Sequence, residues 1–419
     1  SGKSKRLYDT LLDMSQENPN KRIFLVVPEQ FTMQAQRNIV ENSPGHGTFN
    51  IDIVSFNRLA YRIFEELGIE LPTAIDDTGK NLILRKIIDE NKKDFKIIRA
   101  KDSQGFVSEI KSVISELLQY SVTTDMLSAA CDKLRTGGIN NNERLRRKLE
   151  DISLIYSAFK EYISDKYITT EEVTAILCRY VDKSELLKNA VFAFDGFTGF
   201  TPVQYQLIEL LFDKADTMYF TLTLPQDGDR WLFDMSYDEL GRIGECADRH
   251  HVRVRRINVG EAVPYRFKDS PQLAHLERNL YRDMAQYDGA ADNITIYSAL
   301  GKKAEVSYVA SRIKSLVESG LRYRQIGVIV SSMADYKELL ASIFEENKIP
   351  VFMDNKRSIL ANPAVEYIRA ALAIVEKDYS YESVFRLLKG YMCKNSERFI
   401  DSAGSLDIFE NYVLALGIR

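Results

Sequence analysis

The sequence predicts an α/β protein, and three observations carry that prediction. Short continuous apolar runs, first among them Arg22-Ile23-Phe24-Leu25-Val26-Val27-Pro28, fit strands buried on both faces of a parallel sheet. Amphipathic helical segments separate these runs, which gives a β-α-β-α rhythm. The opening residues Ser1-Gly2-Lys3-Ser4 read as the tail of a G-x-x-x-x-G-K-[ST] phosphate loop, a motif native to such folds.

In order along the chain, Lys5 to Leu12 continue from the GKS triplet as a helix with Leu7, Leu11 and Leu12 on one face. Residues 22–28 are the first strand, Glu29 to Val40 a helix, Ile51-Asp52-Ile53-Val54 a second strand and Asn57–Leu67 a helix. From 73 to 188 the character is helical. Leu82, Ile83, Ile87 and Ile88 mark one amphipathic segment, and Phe106, Ile110, Val113, Ile114, Leu117 and Leu118 another. A third, from Arg144 to Ile163, places Leu145, Leu149, Ile152, Tyr156, Phe159 and Ile163 at three- and four-residue intervals. No strand signal interrupts this stretch, which reads as an all-helical insertion with an exposed Gly/Asn-rich loop at 137–142. The α/β rhythm resumes with the strand Ala190–Phe194, the helix Pro202–Phe212 and the strand Thr217–Leu224. Residues 252–257 alternate as a further strand. A second α/β unit is expected from 292, with strands at Ile294–Tyr297, Ile326–Val330 and Ile349–Met353 between helices Lys303–Ser319 and Tyr336–Asn347.

Composition bounds the function. With 419 residues and no initiating Met, the chain is expected to be a fragment of a longer protein with two to four compact units. An apolar content of 45% suffices to bury sizeable cores, and no apolar run approaches the roughly 20 residues of a membrane span. Cys131, Cys178, Cys246 and Cys393 lack C-x-x-C spacing and read as reduced thiols of a cytoplasmic protein. The four histidines form no zinc pattern, because adjacent His250 and His251 point apart on a strand. A net charge of −4 excludes a protein that coats nucleic acid with its whole surface, but not one with a local basic channel.

Two chemistries are written in the motifs. In a phosphate loop the Lys pairs with β/γ-phosphates, the Ser hydroxyl ligates Mg²⁺, and the following helix turns its positive end to the nucleotide. A four-residue match also occurs by chance in loops. Asp195, at the end of an apolar strand, stands where such a site carries its acidic Mg²⁺ residue. An Asp there also serves as a turn cap. The next residue is Gly196, which cannot act as a base, so turnover is expected to be slow or absent. If the rest of the site were competent, Gly196→Glu would restore hydrolysis. On the strand at 252–257, His251, Arg253 and Arg255 share one face, which fits either a phosphate track or a solvated surface. The cluster Arg144, Arg146, Arg147 and Lys148 has Glu143 and Glu150 as local partners and reads as a solvated helix face.

Several runs together resemble one family. They are Val26-Val27-Pro28-Glu29-Gln30-Phe31-Thr32 with Gln34-Ala35, Val54-Ser55-Phe56 with Arg58-Leu59-Ala60, and Phe194-Asp195-Gly196-Phe197-Thr198 with Phe200-Thr201-Pro202 and Gln204. Further matches are Ile349-Pro350 with Phe352-Met353-Asp354, Tyr381-Glu382 with Val384-Phe385-Arg386, and Glu410-Asn411-Tyr412-Val413-Leu414. In letters, order and spacing, over nearly the whole chain, these resemble the AddB subunits of AddAB (RexAB-type) helicase–nucleases.

The resemblance implies a superfamily 1 helicase fold: two RecA-like P-loop domains, each with a mostly helical insertion. It divides the chain into 1–72 and 189–291 as the first such domain, 73–188 as its insertion, 292–375 as the second domain and 376–419 as the start of a second insertion. It also implies a partner, AddA, and DNA ends as substrate, resected for recombination, with a contribution to recognising the Chi sequence. ATP and Mg²⁺ are implied at Gly2, Lys3, Ser4 and Asp195, with Ser4 and Asp195 as the metal positions; binding here is expected to be weak or absent because half of the phosphate loop is missing. The family's iron–sulfur cluster and nuclease metal belong to a C-terminal nuclease domain beyond Arg419, and none of the four cysteines is assigned to the cluster. Pro28, Glu29 and Gln30 match a single-strand contact motif, and Ser55, Phe56 and Arg58 the DNA-facing motif after it. Arg253 and Arg255 complete the expected DNA contacts. Departures point away from a motor: Gly196 replaces the catalytic Glu, Leu222-Thr223-Leu224-Pro225-Gln226-Asp227 replaces a GDxxQ-like segment, and Ser331 stands where active helicases carry an arginine. The alternatives are an active P-loop ATPase and a structural partner of AddA without DNA contact.

Overall fold

The computed structural model describes residues 2–43, 45, 47, 50–97, 104–136, 143–164, 166–225, 230–260, 265–282, 285–354, 359–390 and 403–417. The chain forms two compact units, Ser1–Ile294 and Thr295–Arg419.

The first unit is built on a four-stranded sheet in the order β2-β1-β5-β6, with every pair parallel. The elements run α1 (Lys3–Glu17), β1 (Ile23–Val26), α2 (Thr32–Asn42), β2 (Ile51–Val54) and α3 (Phe56–Glu66). A helical excursion follows: β3 (Thr73–Ile75), α4 (Asp77–Glu90), α5 (Gln104–Gln119), α6 (Thr124–Thr136), α7 (Glu143–Ile163), β4 (Tyr167–Thr169) and α8 (Glu172–Cys178). The chain then returns to the sheet as β5 (Val191–Phe194), α9 (Pro202–Phe212) and β6 (Thr217–Phe220), and leaves through α10 (Asp234–Arg249) and α11 (Pro271–Asn279).

β1 and β5 are buried along their whole length, which is why they read as unbroken apolar runs. Their alternating side chains feed two cores. Phe24, Val26, Phe192 and Phe194 pack with α3, α8 and α9, while Ile23, Leu25, Val191 and Ala193 pack with α1 and α2. Aromatic neighbours lock the register: Phe24 stacks on Phe192 at 5.2 Å, and Phe194 on Phe220 at 4.8 Å. Helix starts are capped by local sequence. Ser55 accepts from the Arg58 backbone N–H, and Thr201 with Gln204 forms a capping box around Pro202.

Two features differ from the all-helical reading of 73–188. β3 and β4 pair in parallel at the entry and exit of the excursion, with Ala74 opposite Ile168. Three residues are too few to carry a periodic signal, so the pair was invisible in sequence. Helix α8 packs not on the excursion but on α3 and α9, through Val173 and Leu177. The excursion has its own core of Leu84, Ile87, Ile114, Ile155, Tyr156 and Phe159.

The expected strand at 252–257 has no regular secondary structure and joins no sheet. His251 turns the chain at φ 54° after α10, and Val252 and Val254 remain 38% and 51% exposed. Alternation with valine did not mean burial here.

In the second unit, α12 (Lys302–Glu318) and α13 (Met333–Glu346) pack through Val306, Ala310, Ile313, Leu340, Ile343 and Phe344. The segments expected as strands at 294–297, 326–330 and 349–353 carry no regular secondary structure, and no paired strand occurs among the described residues of this unit. Ile326, Val330 and Met353 lean on the helix pair, whereas Ile296, Ile329 and Phe352 stay more than nine-tenths exposed. A continuous apolar run predicts burial on both faces, and only one is covered. α14 (Pro363–Glu376), α15 (Tyr381–Leu388) and α16 (Ala403–Ala415) follow, tied by Arg386 to Glu366 and by Lys389 and Tyr381 to Glu410. Cys393 lies outside the described residues.

A buried charge pins the excursion to the sheet domain. The Lys80 side chain is 1% exposed and its ammonium donates to both Glu171 oxygens at 2.7 and 2.8 Å, with Ser115 at 3.4 Å. Burial raises the Glu171 carboxyl, but the Lys80 bond outweighs it and holds the group below the ordinary 4.5. Removing one partner of such a pair leaves the other charge uncompensated. We predict that Lys80→Ala destabilises the first unit by about 3 kcal/mol in urea unfolding, at the low end of the buried-pair range because Glu171 keeps some solvent. A carboxyl with a depressed folded pKa stabilises above its ordinary pKa and loses that contribution as pH falls through the lower folded value. Acid titration below pH 4.5 therefore loosens wild type more than Lys80→Met, read by thermal melts.

Candidate functional site

The carboxyl ends of β1, β2, β5 and β6 lie along one edge of the sheet, and they carry Pro28, Ser55, Asp195 and Thr221. β1 leads to β2 on one side and β5 leads to β6 on the other, so the crevice between them is the place where open α/β sheets bind ligands.

Helix α1 starts at this crevice. Gly2 takes φ 134°, a conformation that L side chains rarely adopt, and its carbonyl accepts the first helical bond, from Arg6. The preceding N–H groups of the first turn have no intrahelical acceptor, which makes the helix start suited to an anion. Lys3 makes no ion pair or side-chain hydrogen bond with the described residues. The residues after α10 come back past this point, with Val259 Cγ1 3.9 Å from where a Cβ on Gly2 would sit.

Ser4 and Asp195, far apart in sequence, meet directly. Ser4 Oγ donates to Asp195 Oδ1 at 2.9 Å, Tyr8 donates to Oδ2 at 3.0 Å, and Thr221 Oγ1 donates to Oδ1 at 2.5 Å. Asp195 is 5% exposed, and its backbone N–H is taken by the Val26 carbonyl. Burial first, and then the Asp195 charge, push the Tyr8 phenol far above its ordinary 10, so it remains a proton donor at any working pH. The sequence reading missed Tyr8 and Thr221. Tyr8 was legible, because it lies four residues after Ser4 and thus on the same helical face. Thr221 was not, since only the β5–β6 pairing brings it to Asp195.

A Mg²⁺–phosphate site needs a carboxylate, a hydroxyl and donors for the phosphates. Asp195, Ser4, Lys3 and the N-terminal N–H groups of α1 supply that set, so the residues fit ATP with Mg²⁺. Among the described residues, no cluster of three or more acidic, His or Cys side chains offers an alternative cation site.

Gly196 adopts φ 80°, with Pro28 Cδ and Phe31 Cδ2 lying 3.6 and 3.7 Å from where its Cβ would be. The loop after β5 thus rests on the loop after β1. The same loop is held from behind by buried Glu239, which accepts from the Phe200 N–H at 3.2 Å and from the Tyr205 hydroxyl.

The expected DNA contacts divide by exposure. Glu29 and Gln30 stand exposed in a short 3₁₀ turn after Pro28, and Arg58 is exposed on the first turn of α3. Ser55 is buried and used as the α3 cap. Phe56 is buried in an aromatic cluster, 6.1 Å from Phe194 and 5.5 Å from Phe197. Arg253 and Arg255 are exposed on the segment after α10. Gln226 and Asp227 lie outside the described residues.

Gly196→Ala is expected to cost about 1–2 kcal/mol, because the left-handed backbone rather than crowding is the obstacle. For the same reason Gly196→Glu is expected to gain no ATPase activity, measured by phosphate release; turnover above wild type would show that the loop accepts a carboxylate there.

The family described as ADDB, N-terminal, matches residues 1–277, and the UvrD-like helicase C-terminal domain matches residues 269–409. ATP-dependent helicase/deoxyribonuclease subunits of the AddB type align along all of the chain. That of Lachnoclostridium phytofermentans is 36% identical, with 37% of its own length covered, and that of Clostridium novyi is 35% identical, with 36% covered. The chain thus spans little more than a third of the length of these relatives. No helix of the described residues is long and apolar enough to cross a membrane. With the first family matching about two thirds of its length, over the unit that holds the parallel sheet and the Ser4–Asp195 contact, the chain belongs to the AddB N-terminal family.

Proposed function

We propose that this chain is the helicase-like, motor-inactive part of an AddB-type subunit, which binds DNA ends beside a partner subunit of the AddA type in the cytoplasm. In this reading it serves the resection of double-strand ends for recombinational repair and contributes to reading Chi. The observation that carries the proposal is the pairing of the Lys3–Ser4 helix start with Asp195, followed at once by a left-handed glycine. A phosphate site is furnished, but the carboxylate that would position an attacking water is missing. Its relatives' names, as helicase/deoxyribonuclease subunits, agree with a role beside a motor.

ATP and Mg²⁺ are bound weakly in this reading. Lys3 and the first N–H groups of α1 hold the phosphates, and Ser4 and Asp195 hold the cation. When bound, the cation neutralises phosphate charge; the chain's own contribution is to orient the triphosphate and tie α1 to β5. DNA crosses the same sheet edge. Arg58 contacts a phosphate, Glu29, Gln30 and Pro28 border the strand, and Ser55 and Phe56 shape the loop from beneath. Arg253 and Arg255 extend the basic track, since lysines and arginines along a backbone supply sequence-independent affinity.

A labelled duplex with a single-stranded tail tests the reading by fluorescence anisotropy at several salt concentrations. Saturable binding that weakens steeply with salt is expected, and Arg58→Ala is expected to weaken it for all sequences and flatten the log–log salt slope by about one unit. Absence of binding at low salt would leave the chain as a structural partner without its own DNA contact.

A further inference from the structure

The segments at 294–297, 326–330 and 349–353 of the second unit contain no charged residue. All three lie against one helix pair. Ile326, Val330, Ile349 and Met353 pack on α12 and α13, and Tyr297 stacks on Tyr308 of α12 at 3.6 Å. Away from that pair the same segments carry Ile296, Ile329 and Phe352, which are 95%, 98% and 92% exposed. Single apolar side chains at a surface are ordinary, whereas bare isoleucine and phenylalanine gathered in one layer mark a face that something covers. None of the three segments joins a sheet among the described residues, so their backbone groups have no ladder partners either. Uncharged apolar runs of this kind take helices on both sides in α/β layers, and here only one side has them.

The cover comes either from the same polypeptide or from another subunit, and two observations favour the first. A surface that meets a separate partner is only about as apolar as the rest of a protein, with a polar rim; a face without any charge resembles a core cut in half. The chain also spans 36–37% of the length of its relatives, so an AddB-type polypeptide has nearly two thirds of its length left to supply a cover. We propose that this face is half of a core, closed in the whole subunit by an apolar helical segment from the part of the AddB-type polypeptide outside the matched third. The inference rests on the AddB-type reading above and extends it to how the second unit is completed. A tethered segment acts at high effective concentration, so closure waits for neither the partner subunit nor DNA.

The test compares thiol labelling of Ile329→Cys and Phe352→Cys in two proteins, the 419-residue chain and the full-length AddB-type subunit that carries it, each without partner subunit or DNA. A fluorescent maleimide is the probe, and the wild-type proteins give the background from the native cysteines. In the shorter chain both thiols are expected to react as fast as a free cysteine. In the full-length subunit the rate is expected to fall by about tenfold or more, because labelling then requires local opening. Backbone hydrogen exchange at 326–330 and 349–353 in the two wild-type proteins gives the same comparison if a cysteine variant fails to fold. Equal rates in the two proteins would overturn the proposal. So would slow labelling already in the shorter chain, which would mean that the face is closed within it or between copies. Protection that arises only when the partner subunit is added would overturn it as well. Anisotropy with tailed duplex is read separately: a protected face in a subunit that binds no DNA would remove the DNA-binding reading and leave this inference standing.

Discussion

The parallel pairing of β1 with β5 is the constraint on which the rest of the first unit depends. Val26 and Phe194 are register partners, although the entire helical excursion separates them in sequence. That register sets the loop after Val26 against the loop after Phe194, which is why Pro28 packs near Gly196 and why the Val26 carbonyl accepts from the Asp195 N–H. A slip of one residue would put Phe24 and Phe192 on opposite faces of the sheet and shift Asp195 relative to Pro28. Stacking of Phe24 on Phe192 and of Phe194 on Phe220 works against that slip.

The site inherits its character from this arrangement. Asp195 is buried and charged, so it needs partners, and the fold supplies hydroxyls rather than a cationic side chain. Gly196 then relieves the backbone at the point where the chain must turn left-handed over Pro28 and Phe31. One position thus meets a structural demand and, by the same token, leaves out the carboxylate that hydrolysis would use. Behind the loop, Glu239 and Tyr205 fix it to α10, so the crevice is rigid on that side.

The helical excursion is a separate packing problem solved with different means. Its core of Ile, Leu, Tyr and Phe side chains stands apart from the two sheet cores, and the Lys80–Glu171 pair secures it. In sequence Lys80 is one more lysine on an amphipathic helix. Nothing local distinguishes it from Lys86, which remains about half exposed beside Glu90. The difference lies in what packs over it.

By itself the sequence determined the elements whose signal is local. Continuous apolar runs gave β1 and β5, because central parallel strands have no solvent face. Three- and four-residue spacing gave α7, and Thr201-Pro202 with Gln204 marked the start of α9. Gly2-Lys3-Ser4 and Asp195 could be paired from the phosphate-loop pattern, and the resemblance to AddB subunits implied the same pairing. Tertiary structure alone decided the rest. It put Tyr8 and Thr221 on Asp195, withdrew Phe56 into an aromatic cluster while leaving Arg58 outside, and paired β3 with β4. It also left the apolar segments around Ile296, Ile329 and Phe352 exposed and in no sheet, although they read as well as β1 does. The physical reason is the same throughout: a strand's apolar pattern records that it can be buried, whereas hydrogen-bond partners, register and exposure depend on which distant segments arrive beside it.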